Sequence, residues 1–176
     1  MAGNVFSYQV LKDSTEHAVI KLTGLFDGTG GQEANNVRIQ ANTLYGALDS
    51  SKGNLLVSTA NTGPLPYYGL SVFRVWGINS SINGSAELFW NAGTKKTIMY
   101  VAGTTDYDGY GNWLSIPNNA QGTLGCNGDI GISTTGMSAN DAYTIVVELR
   151  KDNAMYQRGQ FNDPAAFNYG TAGMRP

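Results

Sequence analysis

The chain has 176 residues, enough for one domain whose core needs no disulfide staples. Hydrophobic residues make up 41%, charged residues only 14%, and the formal net charge is −2, where a soluble domain is typically about one quarter charged. The scattered basic residues exclude a phosphate-tracking stripe; a single cysteine, Cys126, excludes an internal disulfide, and with a single histidine, His17, it cannot supply the usual zinc ligand sets.

The polar surface must therefore come mostly from Asn, Thr, Ser, Gln and Gly. A weakly charged surface suits contact with other protein surfaces, because net charge is what resists association. No run approaches 18 apolar residues, so no transmembrane helix is expected. Met1 to Tyr8 has neither a positive region nor a long apolar one, so no signal peptide is expected. The N-x-[ST] sequons at Asn79 and Asn83 are then chance in an Asn-rich chain.

Period-two alternation dominates. Val5 to Lys12 predicts a strand, Asp13 to Glu16 a turn, and His17 to Thr23 a returning strand. Gly24 to Asn36 reads as a loop. Val37 to Leu48 fits helical and strand spacing alike. Strand is preferred, because Thr43, Tyr45 and Gly46 are poor helix-interior residues. Asp49 to Gly53 turns that strand into Asn54 to Ser58, a second hairpin. Pro64 and Pro66 mark a loop. Gly69 to Ile78 is the most apolar segment and reads as a central strand. An Asn-Gly turn at Asn83 leads to Ala86 to Trp90, which pairs back through Lys95 to Ala102. Gly103 to Gly128 lacks periodicity. Asp129 to Ser133 is a short strand. Ala142 to Arg150 is a strong one, with Tyr143, Ile145, Val147 and Leu149 on one face.

Eight or nine strands with recurrent turns predict an all-β fold, an antiparallel jelly-roll-like β-sandwich over residues 1–151. Residues 152–176 are too aromatic for a solubilising tail and too broken by Gly and Pro for a helix. They predict an extended C-terminal arm whose Tyr156, Phe161, Phe167 and Tyr169 lie either on its own domain or on a neighbouring subunit.

No catalytic constellation emerges, and no cofactor is expected. Glu16 precedes His17 in a strand, so the two point to opposite faces and form no oriented pair. Gly28-Thr29-Gly30-Gly31 matches no phosphate-binding motif. Asp106, Asp108 and Asn112 are spaced as a weak candidate calcium loop, but Pro117 stands where a bidentate glutamate would be needed. Glu87 and Glu148 sit mid-strand and are expected on exposed faces or in subunit contacts. The 10 Tyr and 3 Trp are compatible with a sugar platform, though aromatics in β proteins mostly serve cores and cross-strand pairs.

Several stretches carry a resemblance: Leu22-Thr23-Gly24-Leu25-Phe26-Asp27-Gly28-Thr29-Gly30-Gly31-Gln32-Glu33, Val37 to Leu44, Ala86-Glu87-Leu88-Phe89-Trp90-Asn91, Ile116 to Ala120, and Gly159 to Tyr169. In these the chain resembles small virion structural proteins of large contractile-tailed phages of marine cyanobacteria. The resemblance covers most of the chain and carries no catalytic residue. It implies a component of the phage particle, made in the host cytoplasm. Its expected place is the outer capsid surface, as a decoration (cement) protein bound to the major capsid protein and forming a homo-oligomer, with a trimer the first choice. No direct nucleic-acid or membrane contact is implied. The alternatives are a tail or neck component and a carbohydrate-binding module that touches the host.

Overall fold

Alternating side chains build strands because a pleated backbone sends neighbours to opposite faces. The computed structural model describes residues 3–47, 68–109, 114–121, 123–151 and 156. Nine strands carry it: β1 (Val5–Asp13), β2 (His17–Leu25), β3 (Asn36–Ile39), β4 (Leu70–Asn79), β5 (Ser85–Trp90), β6 (Lys96–Val101), β7 (Thr104–Asp108), β8 (Ile130–Thr135) and β9 (Ala142–Lys151). The fold is nearly all β: a sandwich of two antiparallel sheets, ordered β1-β2-β9-β4-β7 and β3-β8-β5-β6.

The pairs β2–β9, β3–β8, β4–β7 and β5–β6 are the successive rungs of one long antiparallel hairpin. Wrapping that hairpin on itself adds the β4–β9 and β5–β8 contacts. The sheets face each other through Ile20, Leu22, Val72, Val75, Ile145, Val147 and Leu149 on one side and Leu88, Trp90, Ile130 and Ile132 on the other, all essentially inaccessible to water. At about 25 cal/mol per Å² of apolar area buried, this inner layer is the main source of stability. β9 is buried at Tyr143, Ile145, Val147 and Leu149 and less so at the positions between, as its alternation predicts.

Four loops close one end of the sandwich. Phe26 N–H donates to Asp141 O, Asn140 N–H to Phe26 O, Asn79 N–H to Gly103 O, and Ser80 N–H to Ala142 O. The opposite end holds the long connections: Tyr68 N–H donates to Asn127 O, and Gly93 N–H to Leu124 O.

Two expectations change. The segment from Val37 is a strand only as far as Ile39, and it pairs with β8. Asp129 Oδ1 accepts the Ala41 N–H at 2.8 Å and a 3-10 turn follows at Ala41–Thr43, taking the chain out of the sheet. The expected partner Asn54 to Ser58 lies outside the described residues. The stretch from Gly103, which lacks an obvious period, contains β7, and β4 supplies its ladder through Arg74↔Asp108 to Ile78↔Thr104. Past residue 151 the described chain consists of Tyr156 alone. Tyr156 is buried, its hydroxyl donates to Ala41 O at 2.8 Å, and its ring lies 5.7 Å from that of Tyr68.

Candidate interaction surfaces

The five-stranded sheet turns one face to the core and the other outward. Register aligns the outward residues into cross-strand rows. One row runs Lys12, Val19, Glu148, Arg74, Asp108; the next Gln9, Lys21, Val146, Trp76, Asp106; the third Ser7, Thr23, Thr144, Ile78, Thr104. The first is charged, the second is centred on an aromatic, and the third is rich in hydroxyls. Such neighbours couple through their side chains, which lie about 5 Å apart at Cβ.

Val19, Arg74, Trp76, Val146 and Glu148 line an open groove of about 300 Å³ on this face. The Trp76 indole is 38% exposed. Arg74 Nη2 lies 3.6 Å from Asp106 Oδ1, both half exposed, so the pair adds little stability. His17 Nδ1 lies 3.4 Å from Glu148 Oε1, within ion-pair distance but without hydrogen-bond geometry. The arrangement offers a flat apolar ring flanked by planar polar groups. Such a surface takes either another protein surface or a sugar ring.

The two edges of this sheet contrast. β7 is five residues long and sends Asp106 and Asp108 outward, the usual protection of an edge. β1 is nine residues long and has no charged residue before Lys12. Val5, Tyr8, Val10 and Leu11 are all exposed, although Tyr8 and Val10 point to the core side of the sheet opposite Leu22 and Ile20. Burial, and secondarily Asp13, raises the Tyr8 phenol above its usual pKa.

The outer face of the four-stranded sheet is different in kind. Glu87 is buried there and does not occupy the exposed position expected of it. Lys95 Nζ donates to Glu87 Oε2 at 2.6 Å and to Ser133 Oγ at 3.2 Å, and Thr97 Oγ1 donates to Glu87 Oε1 at 2.5 Å. Burial alone would raise the Glu87 carboxyl, but the hydrogen bonds from Lys95 and Thr97 outweigh it and hold it below the usual value.

The remaining residues singled out by sequence are placed as follows. Asp106 and Asp108 share the outer face of β7, opposite Trp76 and Arg74, with the Arg74 guanidinium beside Asp106; Asn112 lies outside the described residues. Among the described residues no cluster of three His, Cys, Asp or Glu is set to hold a metal. Tyr156 is buried in this chain's own domain, while Phe161, Phe167 and Tyr169 lie outside the described residues. Cys126 is fully buried, and burial pushes its thiol up. In the Gly28 loop the Asp27 carboxylate accepts the backbone N–H groups of Thr29 and Gly30, an anion already in place where a phosphate would need them.

Sequence reasoning missed the contacts made by distant strands. Glu33, Arg38 and Tyr143 form one buried network: Arg38 and the Tyr143 hydroxyl both donate to the Glu33 carboxylate. The signal in sequence was slight, a glutamate in a glycine-rich loop with a basic residue five positions on.

Comparison with protein families, with curated proteins and with solved structures finds no match to this chain.

Proposed function

We propose that this chain is a structural subunit of a phage virion, which acts by packing against other protein chains and serves as a decoration protein of the outer capsid. The observation that carries the packing role is the set of open apolar side chains along the β1 edge of the five-stranded sheet. Val5, Tyr8, Val10 and Leu11 on β1, and Leu25 opposite Val5 on β2, are all more than a third exposed. Contiguous exposed apolar surface marks an interaction site in a soluble protein. With charged residues at only 14%, little opposes its burial by a neighbour.

Two further points support a place in a virion. One is the resemblance to phage virion proteins along Leu22 to Glu33 and the other stretches named above. The other is the wrapped hairpin. Without β1, the orders 2-9-4-7 and 3-8-5-6 fit an eight-stranded jelly roll, an architecture that recurs in viral capsid and lectin domains. That is an argument from fold analogy, and analogy alone does not assign a function. The role is non-enzymatic: the main polar clusters are closed ion pairs, Lys95 with Glu87 and Lys151 with Asp13.

Quantitative mass spectrometry of purified particles tests the proposal. The expected result is a copy number that scales with the capsomers. Absence from particles would overturn the virion role, and a copy number matching tail rings would move the protein to the tail or neck.

The Trp76 groove favours a second reading, carbohydrate binding. An exposed indole in one groove with Arg74 and Glu148 can stack a pyranose ring while the polar groups bond its hydroxyls. A glycan array probed with the native chain and with Trp76→Ala decides it. Binding that Trp76→Ala abolishes would support a glycan-contact role; no binding by the native chain would end it.

A further inference from the structure

We infer that β1 is the site of self-association: the β1 strands of two copies pair antiparallel about a twofold axis centred on Tyr8, joining two five-stranded sheets into one. This rests on the proposed packing role and specifies how it is carried out.

The argument starts from the edge. An unpaired edge strand presents a row of free N–H and C=O groups, and monomeric proteins blunt such edges with charge, brevity or bulges. β7 has the first two defences. β1 has neither over Val5 to Leu11, and its only irregularity is a bulge between Val10 and Lys12, at the end of that run. No described strand pairs with its free edge. Its core-side residues Tyr8 and Val10 are also left open, at 41% and 42% exposure. Both the backbone and the inner face of β1 are therefore incomplete in one copy.

The occupant follows from self-complementarity. A twofold axis normal to the sheet opposes residues that share a face, so it must pass through a residue and not between two. Centred on Tyr8, the pairing sets Tyr8 against Tyr8, Ser7 against Gln9 and Phe6 against Val10, all within the regular stretch that ends at the bulge. Apolar meets apolar and polar meets polar in every pair. Centring on Ser7 sets Val5 against Gln9, and centring on Gln9 sets Ser7 against the bulged Leu11. Aromatic and apolar cross-strand pairs stabilise a sheet, whereas mismatched pairs do not. A second copy of β1 thus fits this edge in one register. A closed twofold is also the commonest symmetry of soluble oligomers. It departs from the threefold arrangement expected from the resemblance.

Sedimentation velocity of the purified full chain tests this, alongside two variants at Tyr8 and one at Val10. The native chain should sediment as a dimer at micromolar concentration. Tyr8→Lys places two ammonium groups opposite each other and should raise the dimer dissociation constant about tenfold or more. Tyr8 is half exposed, so the thermal melt should be little changed. For a readout independent of that variant's folding, Tyr8→Cys should form a disulfide-linked dimer on mild oxidation, since opposed Cα atoms lie within bridging distance. Val10→Cys should not, because its copies are offset by four residues, about 13 Å along the strands. Cys126 is buried and does not compete.

A native monomer, a trimer, or equal cross-linking at residues 8 and 10 would overturn the inference. A monomer that still binds particles lacking the protein would sink the β1 pairing and leave the packing role standing. A dimer cross-linked at Tyr8 but absent from particles would support the pairing and sink the virion role.

Discussion

Lys151, at the end of β9, reaches past β2 to Asp13 at the end of β1, with Nζ 2.5 Å from Oδ1. The same ammonium donates to the carbonyls of Ser14 and Tyr45, each at 2.7 Å, and lies 5.1 Å above the Tyr156 ring. Its three donors meet three acceptors while its side chain is wholly inaccessible. One buried cation thus ties together the β1–β2 turn, the segment after the 3-10 turn, and Tyr156.

Removing the carboxylate should be the costlier way to break this site. Asp13→Ala leaves a buried ammonium without a counter-charge and should cost about 3 kcal/mol in urea unfolding. Lys151→Met fills the same space without charge and should cost less. The reverse order would show that Lys151 acts through packing and not through its charge.

Tyr143 should make stability fall in alkali. Burial, then the Glu33 carboxylate that its hydroxyl bonds, raises its pKa well above the ordinary tyrosine value. A raised folded value means the native state holds a proton that the unfolded state releases above about pH 10. The contribution is complete below that pH and is lost as pH rises. Lys151 acts in the opposite sense, because burial lowers its pKa, only partly offset by Asp13. The comparison must therefore be native against Tyr143→Phe. The native advantage should shrink by up to about 1.4 kcal/mol per pH unit above pH 10. An advantage constant from pH 8 to 11 would contradict the assigned environment.

Core and surface apolar residues should separate cleanly. Leu88 is fully buried between the sheets, and Leu88→Ala should cost about 2–5 kcal/mol. Ile82 is 97% exposed in the β4–β5 turn, and Ile82→Ala should stay within about 0.5 kcal/mol. Thermal melts of the two variants read this directly.

Glycines should differ by place. Gly128 has φ +98°, and an added Cβ would stand 2.1 Å from Tyr68 O. Gly128→Ala should therefore destabilise by about 2 kcal/mol or more. An added Cβ at Gly31 meets nothing within 4 Å, so Gly31→Ala should be neutral or stabilise by about 0.5 kcal/mol. Denaturant midpoints of the two variants provide the check; equal effects would contradict this backbone geometry.

The strands were legible where burial is one-sided. His17 to Thr23 and Ala142 to Arg150 alternate cleanly because each has one face in the core. The β5–β6 hairpin was legible because its turn is local. β7 was not, since Thr104 to Asp108 carries carboxylates outward and becomes a strand only against β4. β3 was misassigned for a similar reason: Asp129, 88 residues from Ala41, decides where it ends. Of the candidate surfaces, the wealth of aromatic residues was visible. That Trp76 shares a groove with Arg74 and Glu148, or that Glu33 meets Tyr143 across 110 residues, was not.

Side-chain alternation is a property of a few consecutive residues, so composition and period alone establish an all-β chain with a weakly charged surface. Which strands lie side by side depends on burying faces that are remote in the chain, and no local pattern encodes that choice. The closure of the hairpin into two sheets therefore decided which edge was guarded, which was left bare, and which charges met in the interior.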